Sequence, residues 1–253
     1  MRRLVLVTAL ALLAVDTAGA QDGNAILRRI EAAYGALRSY SHKASTTEIA
    51  ATAQGKRIGG ATNELRFSRP DKVYVSITSP QVGLVTAATD GKTFIGYRSS
   101  TNLYRRKPAP ATLLAFDQAA RGVGITNLLD PMYFLIGKKA ELAGVRTAGK
   151  STVNGVSCNV VTGTYRAGKT TWTVTLYAEA ATSLLRKTSL VTRGVPATIR
   201  VPVRHGGKVV QVSRALPLDI SVVTIVQQLT TNTPLPDSAF QFRPPAGAVE
   251  QKN

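Results

Sequence analysis

Residues 69–104 read RPDKVYVSITSPQVGLVTAATDGKTFIGYRSSTNLY and decide the fold. Within this stretch Val73, Val75 and Ile77 alternate with polar or aromatic neighbours, and a period of two is typical of a half-buried antiparallel strand. Asp90-Gly91 follows as a hairpin-turn pair. The stretch therefore predicts consecutive antiparallel strands joined by tight turns.

The same alternation recurs further along the chain. Trp172, Val174 and Leu176 alternate with threonines. Further hairpin-turn pairs lie between such runs, namely Asn154-Gly155, Ala167-Gly168 and Gly206-Gly207. We expect about ten strands, which is more than a flat open sheet holds without curling.

The segment DISVVTIVQQL from Asp219 is apolar on both faces of its predicted strand. Val222 and Val226 fall on one face, and Val223, Ile225 and Leu229 fall on the other. A strand with one face in water does not need this pattern. We therefore expect both faces of the sheet to be shielded here, as in a curled sheet with an apolar interior.

Only a few segments have apolar residues at the intervals of an α-helix. Residues 22–38 place apolar side chains on one face of a helix that Asp22 or Asn24 can cap. Residues 111–120 and 125–136 suit one or two short helices. The predicted fold is mainly β, of the α+β class. It is a curled antiparallel sheet, or unclosed barrel, capped by an N-terminal helix and these central helices.

The N-terminus has the pattern of a cleavable signal peptide. Arg2 and Arg3 precede the apolar run LVLVTALALLAV, and small residues end at Ala20. The apolar run is too short for a spanning helix, which needs about 20 residues. We expect residues 1–20 to be removed and the mature chain, residues 21–253, to be periplasmic.

The charge of the chain is strongly positive, with 32 Lys and Arg against 14 Asp and Glu. Two runs, residues 91–116 and 180–218, contain basic residues and no acid. Such a field attracts anionic surfaces. In a secreted chain without basic-aromatic stacking patterns we expect no nucleic acid as partner. An anionic membrane, lipopolysaccharide or an acidic envelope protein remains as partner, and an ordinary solvated basic face remains as the alternative.

Few residues are suited to catalysis. The only histidines are His42 and His205, so a histidine-rich metal site or a Ser/His/Asp triad lacks its components. Gly122 and Gly124 are not followed by the residues of a phosphate-binding loop, and Cys158 is the only cysteine. We therefore expect no enzyme, no cofactor and no metal.

Several residues, taken in order, resemble the lipoprotein carriers of the LolA type. They are the Arg69-Pro70 pair, Pro80, Asp90-Gly91 with Tyr97, and a closing motif that comprises Phe240, Phe242, Pro244, Pro245 and Gly247. The resemblance covers roughly residues 22–249 and implies one domain, residues 21–253, with an unclosed barrel around a cavity for acyl chains. It is strongest to predicted periplasmic proteins with this core.

Two departures limit the resemblance. Ile95 stands where the carriers have Trp, and residues 194–218 form an additional segment that we expect to be an inserted hairpin. Pro202 would confine one arm of this hairpin to a sheet edge. The resemblance therefore favours the fold and the ligand class more than the same cargo.

The resemblance implies particular site residues. Arg69 matches the arginine that holds the lid in the carriers, and a surface arginine at a strand end is the alternative. The cavity candidates are mostly apolar strand residues, and alternation does not say which face of each strand meets the cavity. They are Val75, Ile77, Ile95, Tyr97, Trp172, Val174 and Leu176.

Two functions follow. The first is a periplasmic carrier that binds a hydrophobic ligand, such as a lipid or the acyl chain of a lipoprotein, without catalysis. The second is an envelope-stress regulator that binds a protein through a LolA-like domain. In either case we expect Arg200, Arg204 and Lys208 of the hairpin to contact an anionic surface.

Overall fold

One curled, unclosed sheet of twelve strands dominates the computed structural model, which describes residues 22–125, 130–205 and 208–252, with only the backbone of 197–215. The predicted signal peptide and the Gly206-Gly207 turn lie outside these residues. The strands are β1 Ser39–Thr52, β2 Gly55–Ser68, β3 Lys72–Ser79, β4 Gly83–Asp90, β5 Thr93–Arg98, β6 Leu103–Pro108, β7 Ala143–Val153, β8 Val156–Ala167, β9 Thr170–Glu179, β10 Leu185–His205, β11 Lys208–Thr231 and β12 Val249–Glu250.

The strand order is β12-β6-β5-β4-β3-β2-β1-β11-β10-β9-β8-β7. Every pair is antiparallel except β12 with β6, which run parallel. The predicted class is confirmed, with twelve strands where the sequence indicated about ten. The pair β1–β11 joins two meanders, one on each side of it.

Three α-helices accompany the sheet in the described residues: α1 Gly23–Gly35, α2 Leu113–Gly122 and α3 Pro131–Leu135. Asp22 caps α1 as predicted, because its Oδ1 accepts the Asn24 N–H at 3.1 Å. Tyr34 of α1 stacks on Phe134 of α3 and contacts Tyr40 of β1, with ring centroids 5.6 and 5.7 Å apart. These aromatic contacts fix two helices against one end of the sheet.

The helices define one face of the sheet, which we call the helix face. Phe94 of β5 packs edge-on against Phe116 of α2. A Cβ on Gly96 would lie 2.6 Å from a methyl carbon of Val123, so only glycine allows the end of α2 to approach β5 this closely. Because side chains alternate along a strand, the residues between Phe94, Gly96 and Arg98 point to the opposite face, which we call the outer face.

The C-terminal segment covers part of the outer face. A short 3₁₀ helix, Asp237–Phe240, precedes the Phe-Arg-Pro-Pro motif. Arg66 donates to the carbonyl of Ala239 at 2.8 Å, and Lys72 pairs with Asp237 at 2.6 Å. Phe242 then packs on Tyr97, with ring centroids 5.5 Å apart. Both faces of β2 to β5 are therefore partly shielded, which explains their apolar residues on both sides.

One predicted face assignment was wrong. Leu229 lies directly opposite His42 on the helix face, together with Val226, rather than with Val223 and Ile225. The cause is a register shift between Lys43 and Ala44, where β11 has an extra residue. A bulge of this kind reverses the alternation beyond it, and the sequence pattern does not reveal it.

The hairpin predicted at about 194–218 is formed by the outer parts of β10 and β11. Pairing of β10 with β9 reaches Val191, and pairing of β11 with β1 reaches Asp219. From Val195–Leu218 to His205–Lys208 the two strands pair with each other, and no other strand of the described chain pairs with them. We call residues 195–218 the arm. Its status as an insertion stays a prediction.

Candidate functional site

A cavity of about 530 Å³ lies on the helix face, over β1, β2 and their neighbours. Its size is within the range of roughly 300–1,000 Å³ that small-molecule sites occupy. At one end it is bounded by buried residues, among them His42, Leu65 and Met132 of α3. At the other end its lining residues Glu48 and Arg57 are exposed. The cavity therefore opens toward the β1–β2 turn and is closed beneath α3.

The walls are mainly apolar. Three of the predicted cavity residues line it, namely Val75, Ile77 and Trp172. Leu190 and Val222 complete the wall from β10 and β11. The strand alternation and the antiparallel register bring these residues to one face from four separate strands, β3, β9, β10 and β11.

Two predicted residues lie on the helix face but not at the cavity surface. Val174 and Leu176 follow Trp172 at alternate positions of β9 and are fully buried in the core. Trp172, by contrast, is half-buried and lines the cavity.

Ile95 and Tyr97 lie on the outer face. Ile95 pairs with Ala88 and Tyr97 with Thr86, whereas Gly96 between them faces α2. Tyr97 is buried against Phe242 of the C-terminal segment, so its shielding comes from the tail. The structure therefore does not bring these two residues to the cavity, since the spacing of Ile95 and Tyr97 fits either face equally well.

A histidine and two tyrosines lie at the closed end. The Nδ1 of His42 is 2.9 Å from the hydroxyl of Tyr40, which is also hydrogen-bonded to Tyr34. The Leu185 N–H donates to the Tyr34 hydroxyl at 3.1 Å. Burial lowers the pKa of His42 from 6.5 to about 4, so the imidazole is neutral at pH 7. This end of the cavity therefore carries no histidine charge near neutral pH.

Asp130 is an ionisable residue that lines the cavity at the N-terminus of α3. Its carboxylate caps the helix by accepting the Tyr133 N–H at 3.0 Å. Burial raises the pKa of Asp130 from 3.8 to about 6, although the Tyr133 N–H opposes the rise and the charge of Asp117 adds to it. The carboxyl group thus titrates close to physiological pH inside a mainly apolar cavity.

A row of polar side chains crosses the cavity between its two ends. The Nδ2 of Asn63 donates to the Thr46 hydroxyl at 2.7 Å, and Thr46 is 2.8 Å from the hydroxyl of Thr224. We call these three residues the polar row. The Oδ1 of Asn63 is buried without a partner in the described structure. Sequence reasoning missed this row, and its only signal was polar residues at inward positions of β1, β2 and β11.

Arg69, the predicted lid arginine, lies at the end of the sheet where the cavity is closed. Its Nε donates to the Leu37 carbonyl and its Nη2 to the Gly35 carbonyl. Both carbonyls belong to the end of α1 and the link into β1, so the guanidinium group fixes α1 to the sheet. A role in holding a lid stays a prediction.

The predicted anionic-surface residues lie on the arm. Arg200 and Arg204 are in its β10 strand and Lys208 is in its β11 strand, but their side chains lie outside the described part of the structure. The register places β11 from Asp219 to Val222 beside Ala51 to Glu48, at the open end of the cavity. The arm thus continues from the strands that form the cavity mouth.

Within the described ranges, no group of three or more His, Cys, Asp or Glu side chains is arranged to hold a metal ion. The helices in those ranges are also too short or too polar to cross a membrane.

Residues 23–204 match the family model described as predicted periplasmic protein (DUF2092). No curated protein matches the chain. Among solved structures it is similar to the lipoprotein LppX of Mycobacterium tuberculosis, with 13% identity over 84% of this chain and 98% of that chain and a TM-score of 0.43. It is similar to LprF from Mycobacterium bovis, with 12% identity over 90% and 97% and a TM-score of 0.43.

A third similar structure is the MucA/MucB complex of Pseudomonas aeruginosa, with 15% identity, 87% of this chain covered and a TM-score of 0.43. Here the match spans 61% of the other chain.

Proposed function

The chain belongs to the DUF2092 family of predicted periplasmic proteins, and from this premise we propose that it binds the acyl chain of a lipid or lipoprotein and carries it through the periplasm. The proposal includes secretion through the signal peptide of residues 1–20, with a mature chain that begins at Gln21. It includes no catalytic step.

The observation that carries this proposal is the apolar cavity with one open end. Each CH₂ group that leaves water contributes about 0.8 kcal/mol, so a sixteen-carbon chain gains roughly 12 kcal/mol before the costs of binding. Val75, Ile77, Leu190 and Val222 provide an apolar surface for such a chain. The cavity mouth, where Glu48 and Arg57 are exposed, leaves room for a polar headgroup in water.

The test is to purify the mature protein from periplasm and identify acyl species in an organic extract by mass spectrometry. Ile77→Gln places a polar group in the cavity, and Ile95→Gln makes the same change at a half-buried site on the outer face. We expect acyl species with the wild type and with Ile95→Gln, and a marked loss with Ile77→Gln. An extract of the wild type without acyl species would contradict the proposal.

The arm favours a second candidate function, a regulator that binds an acidic envelope protein. Its outer strand edges are without strand partners in the described chain, and residues 195–218 contain basic residues and no acid. A free edge can pair with a strand of another protein. Salt-sensitive binding of an acidic protein by a preparation whose cavity is empty would favour this function over the carrier.

A further inference from the structure

The polar row is an unusual feature in a cavity for hydrocarbon. Asn63, Thr46 and Thr224 all line the cavity, and Ile77 lies directly beside Asn63 in the register. A pure hydrocarbon chain would leave the buried Asn63 Oδ1 without a hydrogen bond, which is costly in an apolar site. The row therefore points to a polar group in the ligand at this level.

The hydrogen-bonding capacity of the row can be counted. Asn63 uses one amide hydrogen on Thr46, and its Oδ1 accepts nothing. The two threonine hydroxyls share one hydrogen between them, so one hydroxyl hydrogen remains to be donated. The row thus offers the Asn63 Oδ1 as an unused acceptor, with a threonine O–H and the second N–H of Asn63 as donors beside it.

A secondary amide matches these groups, because its N–H can donate to the Asn63 Oδ1 and its carbonyl can accept from a donor of the row. An ester has the carbonyl but no donor, so it leaves the Asn63 Oδ1 unpaired. A site that is built to hydrogen-bond a donor rejects an otherwise equal ligand without it.

The position of the row also fits a linkage group. Thr46 is two residues inward from the exposed Glu48, which is about 7 Å along a strand. Leu65 and Val75 lie farther inward, toward Met132. A chain that runs inward along them would place its linkage at the row and its headgroup at the mouth.

We propose that the cavity selects amide-linked acyl chains over ester-linked ones, with the ligand N–H donating to Asn63 Oδ1 and its carbonyl accepting from the threonine pair. This inference rests on the proposed function and specifies its ligand class. It assigns a specificity role to Asn63, Thr46 and Thr224.

The test uses two probes of equal length, N-methylpalmitamide and methyl palmitate, which differ only in the linkage. Their affinities for the delipidated mature protein are measured by displacement of a fluorescent fatty acid. We expect the amide to bind about tenfold tighter, since one buried unpaired acceptor is worth about this factor. Asn63→Leu should abolish the difference while the ester still binds.

The matched control is Thr86→Val. The Thr86 hydroxyl is the other buried polar atom without a partner in the described structure, but it faces the outer side beside Tyr97. This variant should keep the preference for the amide. Equal affinities of the wild type for both probes would overturn the selectivity and leave the carrier function intact. Failure of the amide to bind while the ester binds would also overturn the selectivity alone, and failure of both probes to bind would overturn the carrier function as well.

Discussion

The Nε of Arg69 donates a hydrogen bond to the carbonyl oxygen of Leu37 at 2.9 Å. Its Nη2 reaches the Gly35 carbonyl at 3.3 Å, and its guanidinium carbon lies 5.3 Å from the centre of the Phe67 ring. The last carbonyls of a helix lack partners within the helix, and a forked guanidinium group can satisfy two carbonyls at once. Arg69 therefore joins the end of α1 to β2 at the closed end of the cavity.

We expect Arg69→Leu to lower the free energy of unfolding by about 1–3 kcal/mol, because it leaves these carbonyls without their charged donor. Arg69→Lys should recover only part of the loss, since an ammonium group lacks the fork. Urea denaturation of the three proteins measures the difference. Equal stability of the leucine variant and the wild type would contradict this role.

The same variant tests the predicted lid function. If Arg69 also controls access to the cavity, Arg69→Leu should change the rate at which a bound fluorescent fatty acid dissociates, under conditions where the variant is folded. An unchanged dissociation rate would limit Arg69 to fixing α1.

Trp172 and Leu176 provide a comparison between the cavity wall and the core on one strand. Trp172 is half-buried and lines the cavity, whereas Leu176 is fully buried. Leu176→Ala should cost about 2–5 kcal/mol of stability. Trp172→Ala should cost less stability and weaken acyl-chain binding more. A Trp172→Ala variant that loses stability like Leu176→Ala and binds the ligand normally would remove Trp172 from the site.

Asp130 should give the stability a pH dependence of defined sign. Its pKa is about 6 in the folded protein against 3.8 ordinarily, so between these values the folded state holds a proton that the unfolded state has lost. The free energy of unfolding therefore falls from this cause as the pH rises from about 4 to 6.

Asn at position 130 can still cap α3 but has no charge. Asp130→Asn should match the wild type at pH 4 and exceed it by roughly 2–3 kcal/mol at pH 7. Burial of His42 acts in the opposite direction, since its lowered pKa costs stability as the pH falls below 6.5, but it is common to both proteins and cancels in the difference. A difference between the two proteins that does not vary with pH would contradict the role of Asp130.

The sequence was informative wherever one physical pattern dominates. Alternation and turn pairs predicted the antiparallel sheet, and the positive φ angles of Asn154 and Gly155 (48° and 80°) are those that such a turn requires. The cap of α1 followed from Asp22 in the same way.

The site depends on relations between distant strands, which local patterns do not contain. Alternation grouped Ile95 with Tyr97 correctly but could not say that α2 covers the other side of β5. The bulge in β11 moved Leu229 to the helix face. Asn63 and Thr224 are linked through Thr46 only because β1 lies between their strands. The face that meets the cavity is thus a property of the packing.

The arm leads to the last prediction, which concerns binding to anionic membranes. Each Lys or Arg near an anionic surface contributes on the order of 1 kcal/mol, and exposed charges are screened beyond about 8 Å at physiological salt. Changing Arg200, Arg204 and Lys208 together to Ser should therefore weaken binding to phosphatidylglycerol vesicles on the order of 100-fold. Acyl-chain uptake should not change. The control is a triple Ser variant of Arg29, Lys139 and Lys150, which removes the same charge from exposed positions outside both acid-free runs. Sedimentation with the vesicles at increasing salt measures binding. An equal loss in both variants would attribute the binding to net charge, and wild-type binding by the arm variant would show that the arm does not contact the membrane.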